Sequence, residues 1–294
     1  MSGVITSLGK NQYINRMFES SPTQTKPQYI QLGMCSKTPV VTDTKLISPL
    51  PLSTSNVSII DACDSTSGWS ISGDASSVSL NNTAGEYLEG TGSLNMPTIY
   101  SSGTSSWYKT ISSFDGTSDY FAWMLYISSL SDISSGSSAC QIDLGTSGFT
   151  NYNRFNFDKS ILQVGWNALV CDVSNPDSIG GSGATITAIN RIRLTITNAT
   201  TWTTNDVRMD WIQTYPIADT FTTFAPSYPS YNTTNKSVTL SGQDNSTSTN
   251  GYIIREIGIF NNDNPKLLYS RDTFTPINKN QFISLTFNQT DTFS

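Results

Sequence analysis

The sequence contains no histidine. That absence removes Ser-His-Asp and Cys-His activation of a nucleophile, the H-E-x-x-H zinc site and the commonest general base. Glutamate is nearly missing too, confined to Glu19, Glu86, Glu89 and Glu256. There is no P-loop and no G-x-G-x-x-G fingerprint. Charged residues supply only 13% of the chain and hydrophobic ones 36%, both below ordinary globular usage. With a net charge of −6 and no basic stripe, the chain is a poor general binder of nucleic acid. No apolar run approaches the roughly 20 residues of a membrane span, so membrane insertion is not expected. The opening MSGVITSLGKNQYINRMF lacks the basic and then apolar regions of a secretory signal peptide. Cys35, Cys63, Cys140 and Cys171 lack zinc-type spacing and are too few for a disulfide scaffold. Buried free thiols are the plain reading, and a Cys140–Cys171 bridge across neighbouring strands is the alternative.

What is present points to β-structure. Ser, Thr and Asn fill the place of charge, yet 13 Tyr, 13 Phe and 6 Trp argue against disorder, which is poor in aromatics. Thr, Tyr, Phe, Val and Ile favour strands, while Ala, Leu, Glu and Lys are thin. One helix is expected, in GKNQYINRMFES near the start, where Ile14, Met17 and Phe18 recur at i, i+3 and i+4 as an apolar stripe. From Val57 to about Tyr215, short strand-like runs alternate with Ser/Gly turns, the pattern of a sandwich or jelly roll. Cys140, Ile142 and Leu144 share one face opposite Gln141 and Asp143. Phe155 and Phe157 oppose Arg154 and Asn156, and Ile192, Leu194 and Ile196 oppose Arg191 and Arg193. One buried and one wet face is what antiparallel sheets show. The closing runs YIIREIGIF, KLLYSRDTF and QFISLTFNQT also read as strands.

Three kinds of site follow from these residues. The wet face carries Gln141, Asp143, Arg154, Asn156, Asp158 and Arg193, planar groups that can hydrogen-bond paired sugar hydroxyls. Trp107, Tyr108, Tyr152 and Trp202 lie in or beside Ser/Thr/Asn-rich turns, where an exposed ring could stack on a pyranose. Trp69, Trp166 and Trp211 are assigned to packing. Calcium takes six to eight oxygen ligands, and Asp61, Asp64, Glu89 and Asp210 would supply carboxylates if the first and last strands of the middle region pair. A sandwich glycosidase would instead need two facing carboxylates roughly 5–10 Å apart, with Asp143, Asp158 and Asp172 as the candidates on strand-like segments.

Two resemblances cover most of the chain. The segments ITSLGKNQYINRMF, YIQLGM and VVTDTKLISPLPL, together with REIGIFNNDNPKLLYSRDTFTPINK, resemble the tail-fibre and tail-collar type attachment proteins of tailed viruses. The match rests on Arg255, Glu256, Ile257, Gly258, Phe260, Leu267 and Leu268, followed by Pro276 and Lys279. The middle region resembles the jelly-roll carbohydrate-binding modules, through Asp61, Trp69, Gly92, Ser93, Leu94 and Asp210 and the run LQVGWNALVCDVS. In that family the first and last acids often hold a structural calcium, which is what the resemblance implies for Asp61 and Asp210.

The resulting expectation is an all-β protein in which a jelly-roll β-sandwich, residues 57–216, is inserted into a small β-rich virion-attachment domain. Residues 1–56 and 217–294 build that outer domain, with its one N-terminal helix. Neighbouring domain termini are what make insertions tolerable. The expected function is a non-enzymatic virion component, at the surface or tail, that assembles with other virion proteins and as a homo-oligomer. The jelly roll would face outward toward a host surface glycan. A stand-alone sugar-binding adhesin and a carbohydrate-active enzyme are the alternatives.

Overall fold

A computed structural model describes residues 3–52, 55–99, 103–203, 206–224, 230–235, 237–244 and 249–292. The chain divides into two compact units, Met1–Asn56 with Ala218–Ser294, and Val57–Ile217. The first unit opens with β1 (Val4–Ile5), α1 (Ser7–Phe18) and β2 (Pro27–Gly33).

The second unit, contiguous in sequence, contains β3 (Ser58–Asp61), β4 (Trp69–Gly73), β5 (Ser79–Asn81), β6 (Ser93–Asn95), β7 (Gly103–Phe114) and β8 (Asp119–Ile127). It continues through β9 (Cys140–Thr146), β10 (Asn151–Phe157), β11 (Gly165–Asp172), β12 (Ser178–Gly180), β13 (Ile189–Asn198) and β14 (Val207–Pro216). These strands form two antiparallel sheets, β12-β10-β9-β13-β7-β4 and β11-β8-β14-β6-β5, with β3 also paired to β14. The unit is a β-sandwich. Alternation decides which side chains enter its core. Trp107, Ile142, Leu144, Phe155, Ile192 and Leu194 come from one sheet, and Leu94, Phe121, Trp123, Leu125, Leu169 and Met209 from the other. Full burial of each such aliphatic or aromatic side chain contributes about 1.5–3 kcal/mol. The first and last strands of the unit lie side by side, Ser58 opposite Thr214, so its two ends are adjacent.

The remaining strands belong to the first unit: β15 (Phe221–Thr223), β16 (Ser230–Asn232), β17 (Ser237–Asp244), β18 (Ile253–Asn261), β19 (Leu268–Asn278) and β20 (Leu285–Thr292). They make a five-stranded sheet, β1-β19-β18-β2-β15, and a three-stranded one, β16-β17-β20. Strand β18 pairs with β2 on one side and β19 on the other, so residues from both ends of the chain share one sheet. Leu46, Phe260 and Leu268 pack together with Tyr29 and Phe221 against them.

Beneath that apolar layer lies a buried ionic knot. Glu256 accepts from the backbone N–H of Ser48 at 2.9 Å and from Arg271 Nε at 2.9 Å. Arg271 also reaches Asp43 Oδ2 at 3.0 Å and the carbonyl of Lys37 at 3.1 Å. The side chains of Glu256 and Arg271 are fully buried. Arg255 donates to the carbonyl of Met34, and buried Lys279 donates to Asn250 Oδ1 at 2.9 Å. The polar residues that carried the tail-fibre resemblance are therefore interior residues of this unit.

Helix α1 begins two residues earlier than the sequence suggests, because Thr6 caps it, its Oγ1 accepting from Gly9 N at 3.0 Å. The expected apolar stripe does not face inward: Ile14 is 55% and Phe18 76% exposed, and the side chain of Met17 lies outside the described residues. Thr6 and Gln12 instead hold the helix to β19, bonding the carbonyls of Leu268 and Leu267. Among the described residues no helix is long and apolar enough to cross a membrane.

Candidate functional site

The outward face of the six-stranded sheet β12-β10-β9-β13-β7-β4 carries most of the residues expected to bind sugar. Register places Tyr108 of β7 opposite Arg193 of β13, Arg193 opposite Asp143 of β9, and Asp143 opposite Arg154 of β10. All four have the parity opposite to the core residues Trp107, Leu194, Ile142 and Phe155. Asp143 is completely buried, yet it lies on the face away from the core. Two guanidiniums cover it. Arg154 donates through Nε and Nη2 to its two oxygens at 2.7 and 2.9 Å, and Arg193 donates through Nε at 2.8 Å and through Nη2. The bond to Asp143 raises the already high pKa of Arg154, so its guanidinium stays charged.

Aromatic rings hold the guanidiniums from the other side. Arg193 lies 4.3 Å from the ring centre of Phe149 and 5.4 Å from that of Tyr152, and Arg154 lies 5.0 Å from Tyr152. Tyr108 meets Phe149 edge to face at 6.1 Å. Tyr152 can lie over β12 because Gly180 has no Cβ; a methyl there would come within 2.1 Å of the ring. On the adjacent row, Gln141 Nε2 donates to Asn156 Oδ1 at 2.8 Å and Ser106 pairs with Thr195 at 2.8 Å. Tyr108, Gln141, Tyr152, Arg154 and Asn156 thus share one face, with Asp143 buried under its two arginines.

Three expected sugar contacts are corrected: Asp143 is sealed under Arg154 and Arg193, and the other two are tryptophans. Trp107 and Trp202 do not face solvent; they are 0% and 2% exposed. Trp107 points into the sandwich, its indole N–H donating to the carbonyl of Ser77 at 3.2 Å. Trp202 folds back against Thr98 and Met96, with its indole N–H on the Met96 carbonyl. Phe149 was missed, since an isolated aromatic in a Gly/Ser turn carries no periodic signal; Arg191, on the same face of β13, bonds Thr110. The packing tryptophans stand as expected in two cases: Trp69 lies against Trp123 at 5.7 Å and Trp166 meets Tyr126 edge to face at 5.5 Å.

The acidic residues expected to hold calcium have other partners. Asp61 accepts from Cys63 N at 2.7 Å through Oδ1 and is ion-paired with Lys109 at 2.5 Å through Oδ2. Asp210, fully buried, accepts from Leu88 N at 2.6 Å, Glu89 N at 3.3 Å and Trp211 N at 2.7 Å. Asp64 accepts from Thr91 N at 2.6 Å. Burial raises the pKa of Asp210 to about 7, the charge of Glu89 adding to the rise while the three N–H groups oppose it. Glu89 is raised by burial and then by Asp64. Only the buried, unbonded Oε2 of Glu89 has the character of a vacant ligand. Among the described residues no three acidic groups converge to hold a metal, and the Lys109 ammonium is already the ion-pair partner of Asp61. The donor set does not fit a calcium ion joining Asp61 to Asp210.

No facing carboxylate pair forms among Asp143, Asp158 and Asp172 either. Asp143 is bonded by both arginines. Asp158 caps a short turn through Ser160 N at 2.7 Å, and Asp172 lies on the opposite sheet, bonded to Ser174 N and Asn175. The four cysteines are buried free thiols. Cys140 and Cys171 are on opposite sheets, β9 and β11, rather than on neighbouring strands, and burial pushes the Cys140 thiol up to about 12.

No family model and no curated protein matches the chain. Similar solved structures include a family 11 carbohydrate-binding module from Clostridium thermocellum in complex with a beta-1,3-1,4-mixed-linked tetrasaccharide. It is 10% identical over 56% of this chain and 98% of its own, with a TM-score of 0.36. A structure of carbohydrate-binding modules from the beta-sandwich superfamily is 13% identical over 51% of this chain and 57% of its own, with a TM-score of 0.32. The enzymatically active domain of bacteriophage CBA120 tailspike protein 4 is 10% identical over 53% of this chain and 20% of its own, with a TM-score of 0.34. At such values the assignment of a β-sandwich rests on the strand pairing itself.

Proposed function

We propose that the protein binds carbohydrate through the outward face of its 57–217 sandwich and is a non-enzymatic structural component of a tailed-virus particle, at its surface or tail. The binding reading is carried by one observation. Tyr108, Phe149 and Tyr152 border two arginines held rigid on a buried aspartate, beside the bonded amides of Gln141 and Asn156. Rigid aromatic area next to preorganised planar donors suits a saccharide, which offers apolar ring faces and clustered oxygens. Polar groups already fixed by the fold lose little entropy on binding.

The absence of catalysis in this reading is supported by the engagement of Asp143, Asp158 and Asp172 with other partners. The particle role draws on the resemblance of REIGIF and its surroundings to tail-fibre and tail-collar proteins. Its support is that Glu256, Arg271 and Lys279 serve the interior of the unit built from both chain ends. The 57–217 unit is then an inserted module, and other virion proteins and further copies of the chain are the expected partners. A calcium cofactor is not part of the reading.

A glycan array followed by titration calorimetry tests the binding. Tyr152→Ala is expected to weaken the best ligand about tenfold, near 1.4 kcal/mol, with the unfolding midpoint of the sandwich unchanged. An empty array would overturn the reading, as would a ligand indifferent to Tyr152. Immunogold labelling of purified particles tests the particle role; particles that carry none of the protein would refute it.

A further inference from the structure

Three of the chain's arginines, Arg154, Arg191 and Arg193, stand on this one face of a protein whose net charge is −6. The acid among them, Asp143, is fully buried and has both oxygens occupied by guanidinium N–H groups. It cannot accept from a sugar hydroxyl. Asp158 and Asp177 are the other acids near this surface, both at its β10 side, where Asp158 accepts from Ser160 N at 2.7 Å and Asp177 from Asn156 N at 2.6 Å. Away from those two, the three guanidiniums stand against Asp143 alone, a local excess of positive charge.

The arginines remain open to a ligand. The side chains of Arg154 and Arg193 are 26% and 22% exposed. Each uses Nε and Nη2 on Asp143, and among the described residues Nη1 of neither donates to anything. They reach over β9 from strands β10 and β13 and meet on the same Asp143 oxygen, so the two guanidiniums act as one close pair. Arg191 adds a third cation two residues along β13. A ligand matched to this face must bring acceptors and negative charge, spread over more than one sugar ring. Carboxylate groups suit fixed guanidiniums because the planar fork donates two parallel bonds.

We infer that the ligand of this face is an acidic saccharide, an oligomer of uronic acids in which one carboxylate meets the Arg154–Arg193 pair and that of a neighbouring residue meets Arg191, while Phe149 and Tyr152 flank the sugar rings. This rests on the carbohydrate-binding reading above and specifies its substrate class.

The test is titration of the full chain with oligogalacturonide and oligoalginate, and with neutral gluco-oligosaccharides of equal length, at about 25 and 250 mM salt. Binding of a uronide is expected, with affinity falling as salt screens the ion pairs. The neutral oligosaccharides should bind at least tenfold more weakly. Arg191→Gln leaves the Asp143 cluster untouched and is expected to weaken the uronide two- to fivefold. Arg193→Gln, in which Asp143 keeps both bonds from Arg154, should weaken it tenfold or more, and Arg193→Lys, which keeps the charge, should recover part of that loss, the fluorescence-detected unfolding midpoint checking that each variant folds. Neutral sugars binding as well as uronides, without salt dependence, would overturn the inference and leave the carbohydrate reading standing. Uronide affinity unaffected by all three variants would overturn it as well. Binding of neither class would overturn both.

Discussion

Replacing Arg271 with methionine should unfold the unit made from the two chain ends long before the sandwich. Among the described residues Arg271 is the only cation against Glu256, and both side chains are fully buried. Methionine keeps most of the volume but leaves Glu256 with backbone donors alone, Ser48 N at 2.9 Å and the longer contacts from Cys35 N and Ile47 N at 3.4 and 3.5 Å. Removing one partner of a buried pair costs about 3–5 kcal/mol, a large share of the roughly 5–15 kcal/mol that holds a domain folded. Without the guanidinium, burial, already the main influence raising the Glu256 pKa, acts unopposed by Arg271. In the variant the native state then keeps a proton that the unfolded chain gives up above about pH 4.3. The deficit should therefore grow as pH rises from 5 to 8. The assay is built into the sequence: Trp69, Trp107, Trp123, Trp166, Trp202 and Trp211 all lie in the 57–217 unit. Urea unfolding followed by tryptophan fluorescence reads the sandwich alone, while far-ultraviolet circular dichroism reads both units. The expected result is a new circular-dichroism transition at lower urea with the fluorescence midpoint unmoved. Glu256→Gln/Arg271→Met should recover at least half of the loss. A loss under about 1 kcal/mol, or a double variant no better than the single one, would refute the argument that this pair ties residues 37–48 to β18 and β19.

Other outcomes follow from the same structure. Asp210, with its pKa near 7, is protonated in the folded state at pH 5 and ionised in the unfolded chain. Its contribution is present at low pH and lost as pH rises through 7, so the fluorescence-detected stability should fall by at most about 3 kcal/mol between pH 5 and 8. Asp210→Asn should flatten that slope, and an unchanged slope would sink the assignment. Gly33→Ala places a methyl within 2.3 Å of Glu256 Oε1; about 1–3 kcal/mol of overpacking cost should appear in circular dichroism and not in tryptophan fluorescence. A thiol reagent should label none of the four cysteines in the native protein and all four in guanidinium; a smaller denatured count would reveal a disulfide.

Period-2 alternation made the sandwich legible, because Cys140, Ile142 and Leu144, or Phe155 and Phe157, assign themselves to a core whatever the strands pair with. The same parity brought out Gln141, Asp143, Arg154 and Asn156 as a wet face. It failed where two aromatics are adjacent. In SSWYKT either Trp107 or Tyr108 could face outward, and only the pairing of Trp107 with Leu194 and Tyr108 with Arg193 decides it. Trp202 sits outside any strand, so no period governs it, and its burial comes from a return to Met96 and Thr98 far back in the sequence. Helix α1 misled for the opposite reason: the stripe of Ile14 and Phe18 is real, but the helix docks through Thr6 and Gln12.

The carboxylates show why residue type alone could not assign the chemistry. Asp61, Asp143 and Asp210 read as acids available to a ligand or to solvent, yet each, like Glu256, has a specific donor that only the tertiary fold supplies. Lys109 reaches Asp61 from β7, Arg154 and Arg193 close over Asp143 from two different strands, and Arg271 meets Glu256 across a hairpin. In a chain with 13% charged residues, these basic side chains are largely committed to buried or half-buried acids, so surface charge arises where a cluster is unbalanced. The β9, β10 and β13 face is such a place, with two guanidiniums over one buried carboxylate and a third, Arg191, two residues along β13. Its positive character follows from the arrangement of paired charges, and a ligand that brings its own carboxylates would complete the balance that the fold leaves open.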